Sequence, residues 1–274
     1  MKWARTAVAF LISAACLLAQ PQWRQSPGYP AYQKGNALFV ARKFPESEAA
    51  IEEALRLDPK LVPALTLKAK LAMAGNRFDV AGECLRRALA ADPTSGYAEF
   101  LYGLEAYLTN DLRSALPRFE KAHQMSPADP RVALYLGIAS ETLGQTDRAL
   151  SYYEEAVRLE QRGGAPQAAT FLAGARLLLL MGRDGESEQW IGQALQVEPG
   201  SRDGHFELAR LLLKKGEAAP AAKEGEAALL LRGGDTTDAQ IHYLLIRAYR
   251  GSGNSPEAAR HADILRTLEG NAPR

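Results

Sequence analysis

Cysteine is nearly absent: Cys16 and Cys84 are the two in 274 residues. Cys16 lies in a segment laid out like an export signal, so removal of that segment leaves Cys84 alone and no internal disulfide. Cys84 reads as a small apolar residue on a helix, and stability has to come from packing. An excess of charge is missing too, with 33 Lys+Arg against 32 Asp+Glu. A general nucleic-acid binder needs a basic surplus to meet phosphates, so that class is excluded. β-Branched runs are scarce while Ala and Leu dominate, which points to an all-helical chain. There is no phosphate-cradling glycine loop and no Gly-Lys-Ser/Thr triplet. No serine sits in a nucleophile elbow, and no Cys/His cluster has zinc spacing. Glu52-Glu53 and Glu154-Glu155 read as solvated helix faces. The expectation is a chain with no catalytic site, no cofactor and no metal.

The first nineteen residues differ from the rest. Lys2 and Arg5 precede an apolar stretch that begins at Ala7-Val8-Ala9-Phe10-Leu11-Ile12 and ends at Ala19. This is the layout of a secretory signal and too short for a spanning helix. Cleavage after Ala19 is one reading. Ser13-Ala14-Ala15-Cys16 resembles a bacterial lipoprotein box, with Cys16 as the lipidated residue, and an uncleaved anchor is the third. All three place the protein outside the cytoplasm: exported, periplasmic or secreted, or tethered to a membrane. Residues 20–27 read as a linker and 270–274 as a tail.

Between them the chain is periodic. Pro59, Pro93 and Pro127 stand 34 residues apart, each closing a similar helical segment. Three small residues recur in register, one midway along a first helix and two on the second. They are Gly35, Ser47, Ala54; Ala69, Ala81, Ala88; Gly103, Ala115, Ala122; Gly137, Ala149, Ala156; Ala175, Ser187, Ala194; and Ala209, Ala221, Ala228. A degenerate last copy has Ile246, Ala258 and Leu265. Gly or Asn punctuates the turn within most copies, as at Gly75-Asn76, Asn110-Asp111 and Gly253-Asn254.

This pattern resembles the tetratricopeptide repeat family over about residues 28–269. Gln161 and Gly233 stand where that motif has proline, and its first-helix tryptophan is absent. The resemblance implies a right-handed superhelical solenoid of antiparallel helix pairs, about seven repeats, with first helices lining a concave groove. It also implies a scaffold that binds a protein or peptide there. Placed on the family geometry, the groove receives Tyr29, Tyr32, Asn36, Phe39, Thr66, Lys70, Met73, Tyr97, Phe100, Leu104 and Tyr107 from the early repeats. The later repeats contribute Phe206, Lys214, Tyr243, Arg250 and a column of arginines, Arg176, Arg210 and Arg247. Aromatics suit peptide recognition, and arginines suit an acidic segment or a free C-terminus. Local pairing of the arginines with Asp203 and Glu207 is the competing reading. A structural subunit of an envelope assembly, of the pilus or outer-membrane lipoprotein kind, is the second functional expectation; the membrane would be reached through a lipid anchor or a retained signal. His205 and His242, at equivalent first-helix positions, are expected to fill packing positions, and His123 and His261 to be solvated.

Overall fold

The computed structural model describes residues 22–270; the signal-like segment, with Cys16, and the last four residues lie outside them. The described residues fall into two compact units divided between Pro127 and Ala128. The first unit opens with a short 3-10 turn, Gln22–Gln25, and holds three hairpins. These are α1 (Tyr29–Val40) with α2 (Phe44–Leu57), α3 (Val62–Ala74) with α4 (Phe78–Ala91), and α5 (Gly96–Leu108) with α6 (Leu112–Met125). The second unit holds four. They are α7 (Pro130–Thr142) with α8 (Thr146–Arg162), α9 (Ala168–Leu180) with α10 (Asp184–Val197), α11 (Arg202–Lys214) with α12 (Ala218–Leu230), and α13 (Asp238–Gly251) with α14 (Ser255–Gly270). No strand occurs among the described residues.

Each hairpin turns by the same device. The third residue past the first helix donates its N–H back across the turn, as Lys43 does to Leu38 O, Arg77 to Ala72 O and Gln145 to Ser140 O. That six-to-one bond needs a left-handed residue at the preceding position. Asn76, Asn110, Gly144, Gly182, Gly216 and Gly253 supply it. In the first hairpin it falls on Arg42, at φ 58°, where neither Gly nor Asn marks the turn. Second helices end differently. Asp58 and Asp92 leave the helix in extended backbone, the conformation that a following proline imposes.

The recurring small residues sit where the two helices of a hairpin touch. A Cβ built on Gly35 would lie 2.7 Å from Ile51, one on Gly103 2.7 Å from Phe119, and one on Gly137 2.5 Å from Tyr153. In all three pairs the large partner is 16 residues on. The same offset joins Ala69 to Leu85 and Ala175 to Ile191. It inverts in the last copy, where Ile246 stands opposite Ala262. At Ala209 the offset reaches Gly225, and there Leu245 of the next first helix approaches within 2.7 Å of the Cβ position. Where a serine replaces alanine on the second helix, its hydroxyl donates to the facing backbone: Ser47 to Gly35 O at 2.7 Å, Ser187 to Ala175 O at 2.9 Å.

Within each unit, a second helix packs on the following first helix, and successive first helices also touch. First helices therefore line the inner side of each stack. Two irregularities interrupt the period, and a buried charge pins each. Helix α8 runs on through Gln161, and its buried Glu160 accepts from Thr170 Oγ1 at 2.7 Å and Gln167 N at 3.0 Å. The loop after α12 is held by buried Arg202, which donates to Leu231 O, Thr236 O and Asp238.

Two substitutions test this account. Gly103→Leu drives atoms into Phe119 and is expected to cost ~1–3 kcal/mol. Arg42→Gly relieves a left-handed side-chain clash that outweighs the entropy of glycine, and should gain about 0.5–1 kcal/mol. Denaturant melts of the two variants check both signs.

Candidate ligand-binding surface

The inner face of the second unit carries a cavity of about 610 Å³. Its floor and walls are apolar: Leu179, Leu180, Phe206, Leu213, Tyr243 and Leu244. Leu265 of α14 closes one side, and Arg210, Lys214 and Arg247 stand around it. Leu180 and Tyr243 are 72% and 59% exposed, unusual for large side chains on a folded surface. They are exposed because α9, α11 and α13 present the ends of their inner faces here, with no further helix over them.

Four residues assigned to the groove from sequence meet at this cavity: Phe206, Arg210, Tyr243 and Arg247. Arg250 is exposed one turn past Arg247 but does not line it. Arg176 lines a neighbouring cavity of about 540 Å³ with Ile138, Glu141 and Tyr153, whose hydroxyl donates to Glu141 at 2.6 Å. The sequence signal for the leucines was weak. Of the run Leu177-Leu178-Leu179-Leu180, the first three are buried and Leu180 alone is exposed.

The arginine column is not a bare positive strip. Glu207 is 4% exposed and lies between two of its members. Arg210 Nη1 donates to Glu207 Oε2 at 2.7 Å, and Arg176 Nε lies 4.0 Å from Oε1. Burial pushes the Glu207 carboxyl above the usual carboxylate range, while Arg210 and Arg176 pull it back. Lys214 is also engaged, at 2.5 Å from Asp184 Oδ1 and 3.0 Å from Leu179 O. Asp203 is taken by the amides of Asp235 and Thr236 rather than by an arginine. Among the described residues, Arg247 lines the cavity exposed and makes no ion pair.

The first unit's inner face is aromatic. Tyr29 and Tyr32 stack at 5.9 Å, Trp23 approaches Tyr29 at 5.4 Å, and Lys70 lies 4.4 Å over Phe39. Tyr32, Phe39, Tyr97, Leu104 and Tyr107 are half-buried and Asn36 is exposed. Phe100 corrects the sequence expectation. It is 4% exposed, packed on Phe119 at 5.9 Å, because Gly103 opens the space that Phe119 fills beside it. Thr66 and Met73 are likewise buried and offer nothing to a partner.

The histidines also depart from expectation. His205 and His242 each meet the second helix of their own hairpin through a polar contact. His205 Nδ1 lies 2.7 Å from Glu224, while His242 Nδ1 lies 2.8 Å from Nδ1 of His261. His261 is 1% exposed, not solvated. Its Nε2 contacts Glu226 at 3.0 Å, and the Tyr249 hydroxyl donates to the same carboxylate at 3.1 Å. His261 donates Nε2–H to Glu226, and a single proton lies between the two Nδ1 atoms. Among the described residues no group of His, Cys, Asp and Glu is arranged to hold a metal, and no helix is long and apolar enough to cross a membrane.

The tetratricopeptide repeat pattern matches residues 32–96, 66–112 and 101–169, about half of the chain. The protein belongs to the tetratricopeptide repeat family, whose members generally serve as scaffolds that bind other proteins. Its fold resembles the APC/C hetero-tetramer Cut9-Hcn1 (TM-score 0.71, 16% identity, 87% of this chain and 45% of that one). It also resembles yeast Tom70 (TM-score 0.61, 20% identity, 80% and 46%). A third is YrrB, a TPR protein with an unusual peptide-binding site (TM-score 0.50, 17% identity, 70% and 93%). The chain thus spans under half the length of the first two, and at these identities the likeness is one of fold. No curated protein sequence matches it.

The histidine network predicts an acid response. Burial, then the neighbouring His261, holds the His242 imidazole below its ordinary value; Asp238 and Glu226 oppose the shift and Arg260 adds to it. Unfolded His242 takes up its proton near pH 6.5, the folded residue only at lower pH. The unfolded state therefore binds more protons in that window, and stability present above about pH 6.5 is lost as pH falls through the folded value. Melting temperature should drop more steeply between pH 7 and pH 5 for the wild type than for His242→Phe. Parallel curves would exclude this network as the source.

Proposed function

We propose that the protein is a non-catalytic scaffold that seats a segment of a partner protein on the inner face of its second unit. The cavity between α9, α11 and α13 carries this reading. It combines an apolar floor with cationic side chains at its edge, which suits a segment that anchors a large apolar side chain and presents carboxylate beside it. YrrB supports the general mode, a repeat of this fold with a peptide-binding site. Phe206 and Tyr243 are the anchor contacts, and Arg247 is the polar one. Binding is an equilibrium in a preformed site. Replacing both Phe206 and Tyr243 by Ala removes two aromatic walls from the cavity. This should weaken a captured partner by ~2 kcal/mol or more, over tenfold, with the helical circular dichroism unchanged. Equal affinity in wild type and double variant would move the site elsewhere.

The location follows from the first nineteen residues, whose charged, apolar and small-residue order supports export. Cys16 after Ser13-Ala14-Ala15 supports a second reading, a lipid-tethered subunit of an envelope assembly. Mass spectrometry of the native protein separates the two. A chain starting at Gln20 is expected for a cleaved signal, and a chain starting at Cys16 with added acyl mass for the tethered form. An intact Met1 from the cytoplasm would overturn both.

A further inference from the structure

Charge around the cavity is distributed unevenly among the cations. Arg210, Lys214 and Arg247 all line it, and Arg176 lies nearby, so simple counting gives a strip that should prefer polyacidic ligands. The pairing removes most of that charge. Glu207 occupies Arg210 directly and stands 4.0 Å from Arg176, and Asp184 occupies Lys214. The Glu207 carboxylate is buried beneath both guanidinium groups, on the same helix that carries Phe206 and Arg210. It already holds the position that a ligand carboxylate would need in order to reach them. Displacing it would leave a buried anion without its partners, a desolvation cost that a partly exposed ligand contact does not repay. Arg247, exposed and outside these pairs, is the cation left for a ligand.

We propose that Glu207 is a specificity-determining residue that restricts the cavity to an apolar segment bearing a single carboxylate, received by Arg247. The carboxylate comes from an Asp or Glu side chain or from a chain terminus; both offer the same two oxygens to a guanidinium. This rests on the cavity being the binding site. Further carboxylates on the ligand find Arg210 hydrogen-bonded to Glu207 and Arg176 already beside the same buried anion. The site is thereby tuned away from polyacidic tracts that a bare arginine column would attract through long-range charge.

The test uses the full chain and synthetic ten-residue peptides built on one Leu- and Phe-containing core. They carry zero, one or three aspartates with an amidated end, or no aspartate with a free end. Titrations run at pH 8, well above the ordinary carboxylate range, at two salt concentrations. In the wild type the first carboxylate should tighten binding roughly tenfold, and the second and third together by less than twofold. Whichever single-carboxylate peptide gains more identifies the source. Arg247→Met should erase the first increment. Glu207→Gln, checked for fold by circular dichroism, should make the three-aspartate peptide roughly tenfold tighter than the one-aspartate peptide and steepen its salt response. If Glu207→Gln fails to fold, the wild-type series and the surface variant Arg247→Met still decide. Affinity that climbs steadily with aspartate number in the wild type overturns the proposal, as does an unchanged first increment in Arg247→Met. In both of those cases the cavity remains the site. Failure of every peptide to bind overturns the cavity reading and this proposal together.

Discussion

Everything in this structure depends on how closely two antiparallel helices approach at one point in each hairpin. The approach requires a residue with little or no side chain midway along the first helix. The space so opened is filled by a large side chain 16 residues later, Ile51, Phe119 or Tyr153. The exchange is one of volume, and protein interiors enforce it because they are packed without slack. The last hairpin reverses the order of sizes, with Ile246 and Ala262 at the two positions; at Ala209 and Gly225 both are small, and Leu245 of the next first helix fills the space. Once the crossing is fixed, the six-to-one turn sets the direction of return, and the next first helix has a single groove to enter. The contacts between successive first helices, and hence the inner face, follow from that.

Much of this was legible in the sequence because the constraint repeats. A glycine or alanine every 34 residues, a Gly or Asn in the turn and a proline after the second helix are three independent signals in one register. What escaped the reading had no periodic signature. Arg42 takes a left-handed backbone without a residue that favours it, since the six-to-one bond of the first hairpin imposes the conformation. Phe100 was placed by position on the inner face, but its ring follows the space beside Phe119. His261 looked solvated on a polar last helix, yet Glu226 and Tyr249 bury it through hydrogen bonds that join three helices. In each case a local partner overrode a positional rule.

Charges divide in the same way. The chain carries many exposed pairs one turn apart, such as Arg56–Glu53, Arg183–Glu186 and Arg260–Glu257. Pairs of this kind are screened by solvent and contribute little to stability. Among the described residues, the four buried charged ones do something different. Glu99 is held by Arg118 and Lys121 across the third hairpin. Glu160 and Arg202 fasten the two segments where the period breaks, and Glu207 restrains two arginines of the column. Removing one partner from such a set exposes a desolvated charge, so these residues govern geometry out of proportion to their number. Near-neutral composition therefore conceals a specific placement of charge, which no count of Lys and Glu reveals.

The positions that make the fold and those that make the cavity are almost separate sets. Gly103, Gly137, Ala175 and Ala209 face their own second helices. Leu180, Tyr243 and Arg247 face outward from the first helices and contribute nothing to the crossings. A solenoid of this kind can change what it binds by substituting outward positions while its register stays intact. Glu207 belongs to both, as do the buried cavity leucines Leu179 and Leu244: it is buried in the stack and within hydrogen-bond reach of a cavity arginine. Through it, the electrostatics of the binding face are fixed by the packing of α11 rather than by surface residues alone. The number of carboxylates this face accepts passes through that buried position, which couples specificity to stability at one residue.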